Sequence, residues 1–176
     1  MKIYERAGPD VLQMLDRAVR TYHPALAEHG VRIAVTISTD STGGPGVLHG
    51  GYPAAAKISL VTRKRRVHLS ADAEIEIDGR VWKRLPEPSR LALLDHELTH
   101  LEFCKMIGDP PRPELTDDDR PKLELRLDDW QITGFAQVVQ RHGEYAVEYQ
   151  AVRELWLQHQ RLLFPFTAEA AQDGKA

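Results

Sequence analysis

Within "LLDHELTHLE", Leu93 to Glu102, two histidines stand four residues apart and a glutamate follows the first. On an α-helix, residues i and i+4 share a face one turn apart, so His96 and His100 can both reach one ion. Glu97 falls on the neighbouring face, beside such an ion rather than on it. From there its carboxylate can take a proton from a zinc-bound water and later hand it to a leaving amine. Zinc suits the pair because it is a Lewis acid that brings the pKa of its water towards neutrality, within reach of a carboxylate base. HExxH arises by chance in roughly one chain in forty of this length and composition, so the surroundings must carry part of the reading. They do so through Leu93, Leu94, Leu98 and Leu101, which set the motif inside a strongly apolar helix. The competing reading is an amphipathic helix with two incidental histidines.

Catalytic zinc takes three protein ligands and keeps one position open. After the helix, the candidates are Asp117, Asp118, Asp119, Glu124, Asp128 and Asp129, with His142 as an imidazole option. Loop aspartates are ordinarily solvated, and Glu124 alternates with Leu123 and Leu125, which turns it away from the core. Asp128 opens a helix, where Asp128-x-x-Gln131 also fits a capping box. A carboxylate has two oxygens, so capping and ligation are compatible. Asp128 is therefore the first choice for the third metal ligand, with Glu124 and Asp129 as alternatives. Asp129 fits better as a partner that orients a ligating imidazole. Cys104 is placed one helical turn beyond His100, where drift swings it away from the ion and into the core.

The elements that must position these groups are legible in outline. "GPDVLQMLDRAVRTYHPALAEHG" has helical spacing, with Pro24 able to end it early and Gly30 as a stop. "VRIAVTIS" and "KISLVT" read as strands, and "ADAEIEID" as a third. The last is a candidate sheet edge along which a peptide could add as a further strand. "PSRLALLDHELTHLEFCKMI" reads as one helix, with Pro88 in its first turn and Gly108 and Pro110 beyond its end. "KLELRL" alternates as a strand, "DDWQITGFAQVVQRHG" is helical, "EYAVEYQ" is a strand candidate and "AVRELWLQHQRLL" a closing helix. Strands mixed with helices in this order predict an α+β fold: a short mixed sheet with the HExxH helix packed against it. One domain over residues 1–165 is expected, with 166–176 a flexible tail.

Composition narrows the functions. A chain of 176 residues with 42% hydrophobic and 28% charged residues belongs with soluble globular proteins. The net charge of −3 gives no overall attraction to nucleic acid or anionic membrane. "TRKRRVH", Thr62 to His68, is the one basic cluster, read as a charged strand rim, and no aromatic residues interleave with it to stack bases. No apolar run reaches membrane-spanning length, which predicts a cytoplasmic protein. A single cysteine leaves zinc to nitrogen and oxygen ligands.

Four blocks together resemble a known family, the putative phage metallopeptidases. They are "HGGYPAAAKI" (His49 to Ile58), "ADAEIEIDG" with Trp82 following, "LALLDHELTHL", and "DDDRPKLELRLDDWQITGFAQVVQRHG" (Asp117 to Gly143). They run in the family's order across roughly residues 47 to 149. The resemblance implies a zincin-like core with His96, Glu97 and His100 on its active-site helix and a third ligand near the start of the next helix. At that place the family carries histidine ahead of "DWQ", and this chain carries Asp128. An aspartate completes a two-histidine zinc site at the cost of some Lewis acidity. The expected activity is zinc-dependent hydrolysis of peptide or protein substrates, with Zn²⁺ as cofactor and Glu97 as general base. The alternative is a catalytically degenerate zincin-like binding protein of phage or prophage origin that engages a host or phage protein.

Overall fold

Alternation of Ala73, Ile75 and Ile77 with Glu74 and Glu76 commits one face of that segment to the core and the other towards water. The computed structural model, which describes residues 1–127 and 135–154, builds its main sheet around this segment. In chain order the elements are β1 (Lys2–Arg6), α1 (Pro9–Tyr22), α2 (Pro24–Glu28), β2 (Ile33–Asp40), β3 (Val47–His49), β4 (Tyr52–Ala54) and β5 (Ala56–Leu60). Then come α3 (Arg63–Leu69), β6 (Ala73–Asp78), α4 (Gly79–Arg84), α5 (Glu87–Thr99), β7 (Leu101–Phe103), β8 (Met106–Ile107), β9 (Arg112–Pro113), β10 (Leu123–Leu125) and α6 (Ala136–His142). A 3₁₀ turn at Gly143–Tyr145 leads into helical backbone over 147–154.

The fold is α+β. Its four-stranded sheet has the order β1-β2-β6-β5, with β2 and β6 parallel and both outer pairs antiparallel. Ala73, Ile75 and Ile77 of β6 are fully buried beneath Val11, Leu15 and Ala18 of α1 and Leu94 and Leu98 of α5. On the opposite face Glu74 pairs with Arg65 at 2.7 Å and Glu76 with Lys57 at 2.8 Å. The expected edge at "ADAEIEID" is thus corrected: β6 is paired on both sides, and β1 and β5 hold the edges. Alternation reports which face is covered, not whether both backbone rims are paired, so it could not separate the two cases.

Helix α5 also ends sooner than its apolar pattern suggests. In a longer helix the His100 carbonyl would accept from Cys104. Instead it accepts from Arg126 N at 2.9 Å, and Cys104 N donates to Lys122 O at 3.0 Å. The chain leaves the helix as β7, which pairs antiparallel with β10, Leu101 facing Leu125. Cys104 consequently lies past the strand and half-buried, not in the core. "EYAVEYQ" turns helical rather than extended, with Ala146 and Glu148 buried. The basic cluster forms α3, in keeping with the good helix propensity of Arg and Lys, and not a strand rim. Its charges are matched by Arg63–Asp117 at 3.3 Å and Arg66–Asp118 at 3.0 Å. No helix among the described residues is long and apolar enough to cross a membrane.

Two buried carboxylates fix the loops around this frame. Asp78 caps α4 through Arg80 N and Val81 N and accepts from Gly46 N at 2.6 Å. Asp72 accepts from Arg32 N at 2.8 Å and from Arg120 at 2.5 and 3.0 Å. Burial pushes the Asp72 carboxyl upwards, but the Arg120 and Arg32 contacts outweigh it and hold the group below its ordinary 3.8. The stability this supplies is complete above pH about 3.8 and is lost as pH falls through the depressed folded value. Asp72→Asn should cost about 2 kcal/mol at neutral pH. Urea unfolding of both proteins against pH should show the difference shrinking on acidification below 3.8. A difference that stays constant into strong acid would contradict this assignment.

Candidate metal centre

The last turn of α5 and its C-cap, His100, carry the motif. His96 and His100 stand with ring centroids 5.1 Å apart and planes at 81°. Each ring is held from behind. His96 Nδ1 lies 2.7 Å from Glu148 Oε1, and His100 Nδ1 lies 2.9 Å from the backbone oxygen of Arg126. A carbonyl oxygen only accepts, so His100 Nδ1 carries the hydrogen and donates it. The same holds for His96 Nδ1 against a carboxylate. In the neutral rings both Nε2 atoms then bear the lone pair that a metal needs.

Phe135 packs against both imidazoles, with centroids 5.1 Å from His96 and 4.7 Å from His100. Its outer face is covered by the Arg126 guanidinium, 5.0 Å from the ring. Glu97, between the two histidines in sequence, is 4% exposed. Glu148 is deeply buried, and its Oε1 also accepts from Phe135 N at 3.2 Å. Its Oε2 is buried and, among the described residues, has no hydrogen-bond partner. This arrangement fits a divalent metal bound through imidazole nitrogen: the rings are adjacent, their tautomers are fixed and their rotation is blocked.

A family model described as "Putative phage metallopeptidase" matches the chain over residues 2–158. It belongs to that family. No curated protein and no solved structure matches it. For this member of the phage metallopeptidase family, the name carries a metal and a peptide substrate, and the matched span takes in every group just described.

Among the described residues, no three His, Cys, Asp or Glu side chains converge on one metal position. Asp128 and Asp129 lie outside the described residues. Glu124 is exposed on β10 opposite Glu102. Asp118 is turned towards α3; bonds from Thr116 and then Arg66 hold its carboxyl down at about 2. His142 is engaged elsewhere, its Nε2 lying 2.8 Å from Asp95 Oδ2. A hollow of about 520 Å³ beside the motif is lined by Tyr22, His23, Phe103, Arg126 and Arg141, and neither His96 nor His100 contributes to its wall.

Sequence reasoning missed the groups behind the two histidines. Arg126 acts through its carbonyl, which no residue type advertises. Glu148 lies 52 positions from His96 and was hidden inside an expected strand. Loss of such a supporting carboxylate typically weakens metal affinity by about 10- to 100-fold. Glu148→Ala should therefore bind Zn²⁺ that much more weakly in competition with a chromophoric chelator. Unchanged affinity in a folded variant would remove Glu148 from the site.

Proposed function

We propose that this chain is a zinc-dependent metallopeptidase in which His96 and His100, through Nε2, and Asp128 hold Zn²⁺. The observation that carries this reading is the pair of hydrogen bonds at Nδ1, from His96 to Glu148 and from His100 to the Arg126 carbonyl. Two histidines one turn apart are common; two with both tautomers set by hydrogen-bond acceptors are arranged for ligation. Zinc, when bound, supplies Lewis acidity and lowers the pKa of water towards neutrality.

Glu97 is the general base. Its buried carboxylate accepts a proton from the water whose oxygen attacks the peptide carbonyl carbon. As the C–N bond breaks, Glu97 delivers that proton to the departing amine nitrogen. Peptides or proteins are the substrates, with β5 the candidate strand along which a peptide adds. That strand is at the sheet edge and runs antiparallel to β6, and its Ala56 and Ile58 join the same core as α5. We assign residues 1–165 to one zincin-like domain. The carboxylate contributed by Asp128 adds negative charge to the centre, which favours tight metal retention over maximal Lewis acidity.

Glu97→Gln should lose hydrolysis of labelled casein by at least about 100-fold while its zinc content stays at the wild-type level. Full activity in that variant would rule out this mechanism. Asp128→Ala should lose most of its zinc by elemental analysis, whereas retention of zinc would assign the third ligand to another residue. Wild-type protein that holds zinc and cuts nothing would favour the binding-scaffold alternative.

A further inference from the structure

Asp95 precedes the first ligand histidine by one residue, and its side chain is completely buried. Three donors from two other elements converge on it. His23 Nε2, between α1 and α2, lies 2.6 Å from Oδ1; Arg141 Nη1 lies 2.8 Å from Oδ1; His142 Nε2 lies 2.8 Å from Oδ2. Tyr22 closes the cluster, edge-on to His142 at 5.0 Å and beneath the Arg141 guanidinium at 5.3 Å.

Consecutive residues of α5 thus grip one segment at two places. Asp95 holds Arg141 and His142, and His96 holds Glu148, six residues further on. Between the two grips lies the 3₁₀ turn at Gly143–Tyr145, entered through Gly143 at φ +55°, so the spacing is fixed by a short, tightly wound connection. The same segment begins at Phe135, whose ring lies against both ligand histidines and whose N–H donates to Glu148. A well-packed apolar side chain at position 95 would serve stability as well as this charge cluster does. A carboxylate with both oxygens engaged does something an apolar side chain cannot, since it sets the register of α6 against α5.

We propose that Asp95 is a positioning residue for the metal centre, acting through His142 and Arg141 to seat Glu148 and Phe135 against His96 and His100. The inference rests on the metal-site reading above. It predicts that Asp95 matters to metal affinity without touching the metal.

The test is Co²⁺ binding, followed by its visible absorption, to purified wild type, Asp95→Asn, His142→Leu and Asp78→Asn. Asp78 is also a buried, hydrogen-bonded carboxylate, with no bond to α5 or α6, so its variant reports general destabilisation. Asp95→Asn should bind Co²⁺ at least about 10-fold more weakly, with an altered spectrum, as expected for lost support behind a ligand. His142→Leu should shift in the same direction, and it decides the matter if Asp95→Asn does not fold. Asp78→Asn should remain within about 2-fold of wild type, as distant sites usually do. Wild-type affinity and spectrum in folded Asp95→Asn or His142→Leu would overturn the positioning role. Equal losses in all three variants would also overturn it, by reducing the effect to destabilisation. Wild type that binds no Co²⁺ would instead overturn the metal-site reading and take this inference with it.

Discussion

A histidine serves a metal only if its ring stops turning and its proton sits on the far nitrogen. Here two oxygen atoms meet both conditions, Glu148 Oε1 behind His96 and the Arg126 carbonyl behind His100. The rest of the molecule can be read as the means of delivering those two atoms. The Arg126 carbonyl arrives because α5 ends at Thr99 and the chain turns into β7, whose ladder with β10 places Arg126 beside His100. Arg126 N donates to the His100 carbonyl while the Arg126 carbonyl accepts from the His100 ring, so backbone and side chain are held together.

The approach to β10 is held in turn by Asp72, which binds Arg120 three residues before the strand begins. Glu148 arrives from the other side, on the segment that follows α6. Asp72, Asp95 and Glu148 are all buried carboxylates, a costly choice where leucine would pack. Each has defined donors, and each fixes one element against another. Glu148 stands apart in leaving Oε2 buried without a partner among the described residues. An unmet acceptor of this kind typically costs about 1–3 kcal/mol, and such groups collect where function constrains the structure.

What could be read from sequence follows the range of the physics involved. The juxtaposition of His96 and His100 was legible because i, i+4 geometry is local. The α+β class, α1 with its break before Pro24, and the strand at β2 were legible from periodicity. The end of α5 was not, because "HLEFCKMI" suits either period and the deciding bond comes from Arg126, 26 residues away. The centrality of β6 was hidden for a similar reason: Glu74 and Glu76 look like edge residues until Arg65 and Lys57 are seen to neutralise them. Asp95 did leave a trace, as a charge set directly against the leucines of "LALLDHEL", but its partners His23, Arg141 and His142 are 46 to 72 residues distant.

The central claim is that His96 and His100 jointly hold zinc. The most direct test is zinc content per chain, by elemental analysis, of purified wild type beside the double variant His96→Ala/His100→Ala. Near-stoichiometric zinc in the wild type and almost none in the double variant is the result this account predicts. Wild type without zinc after reconstitution, or a double variant that keeps it, would contradict the account at its root.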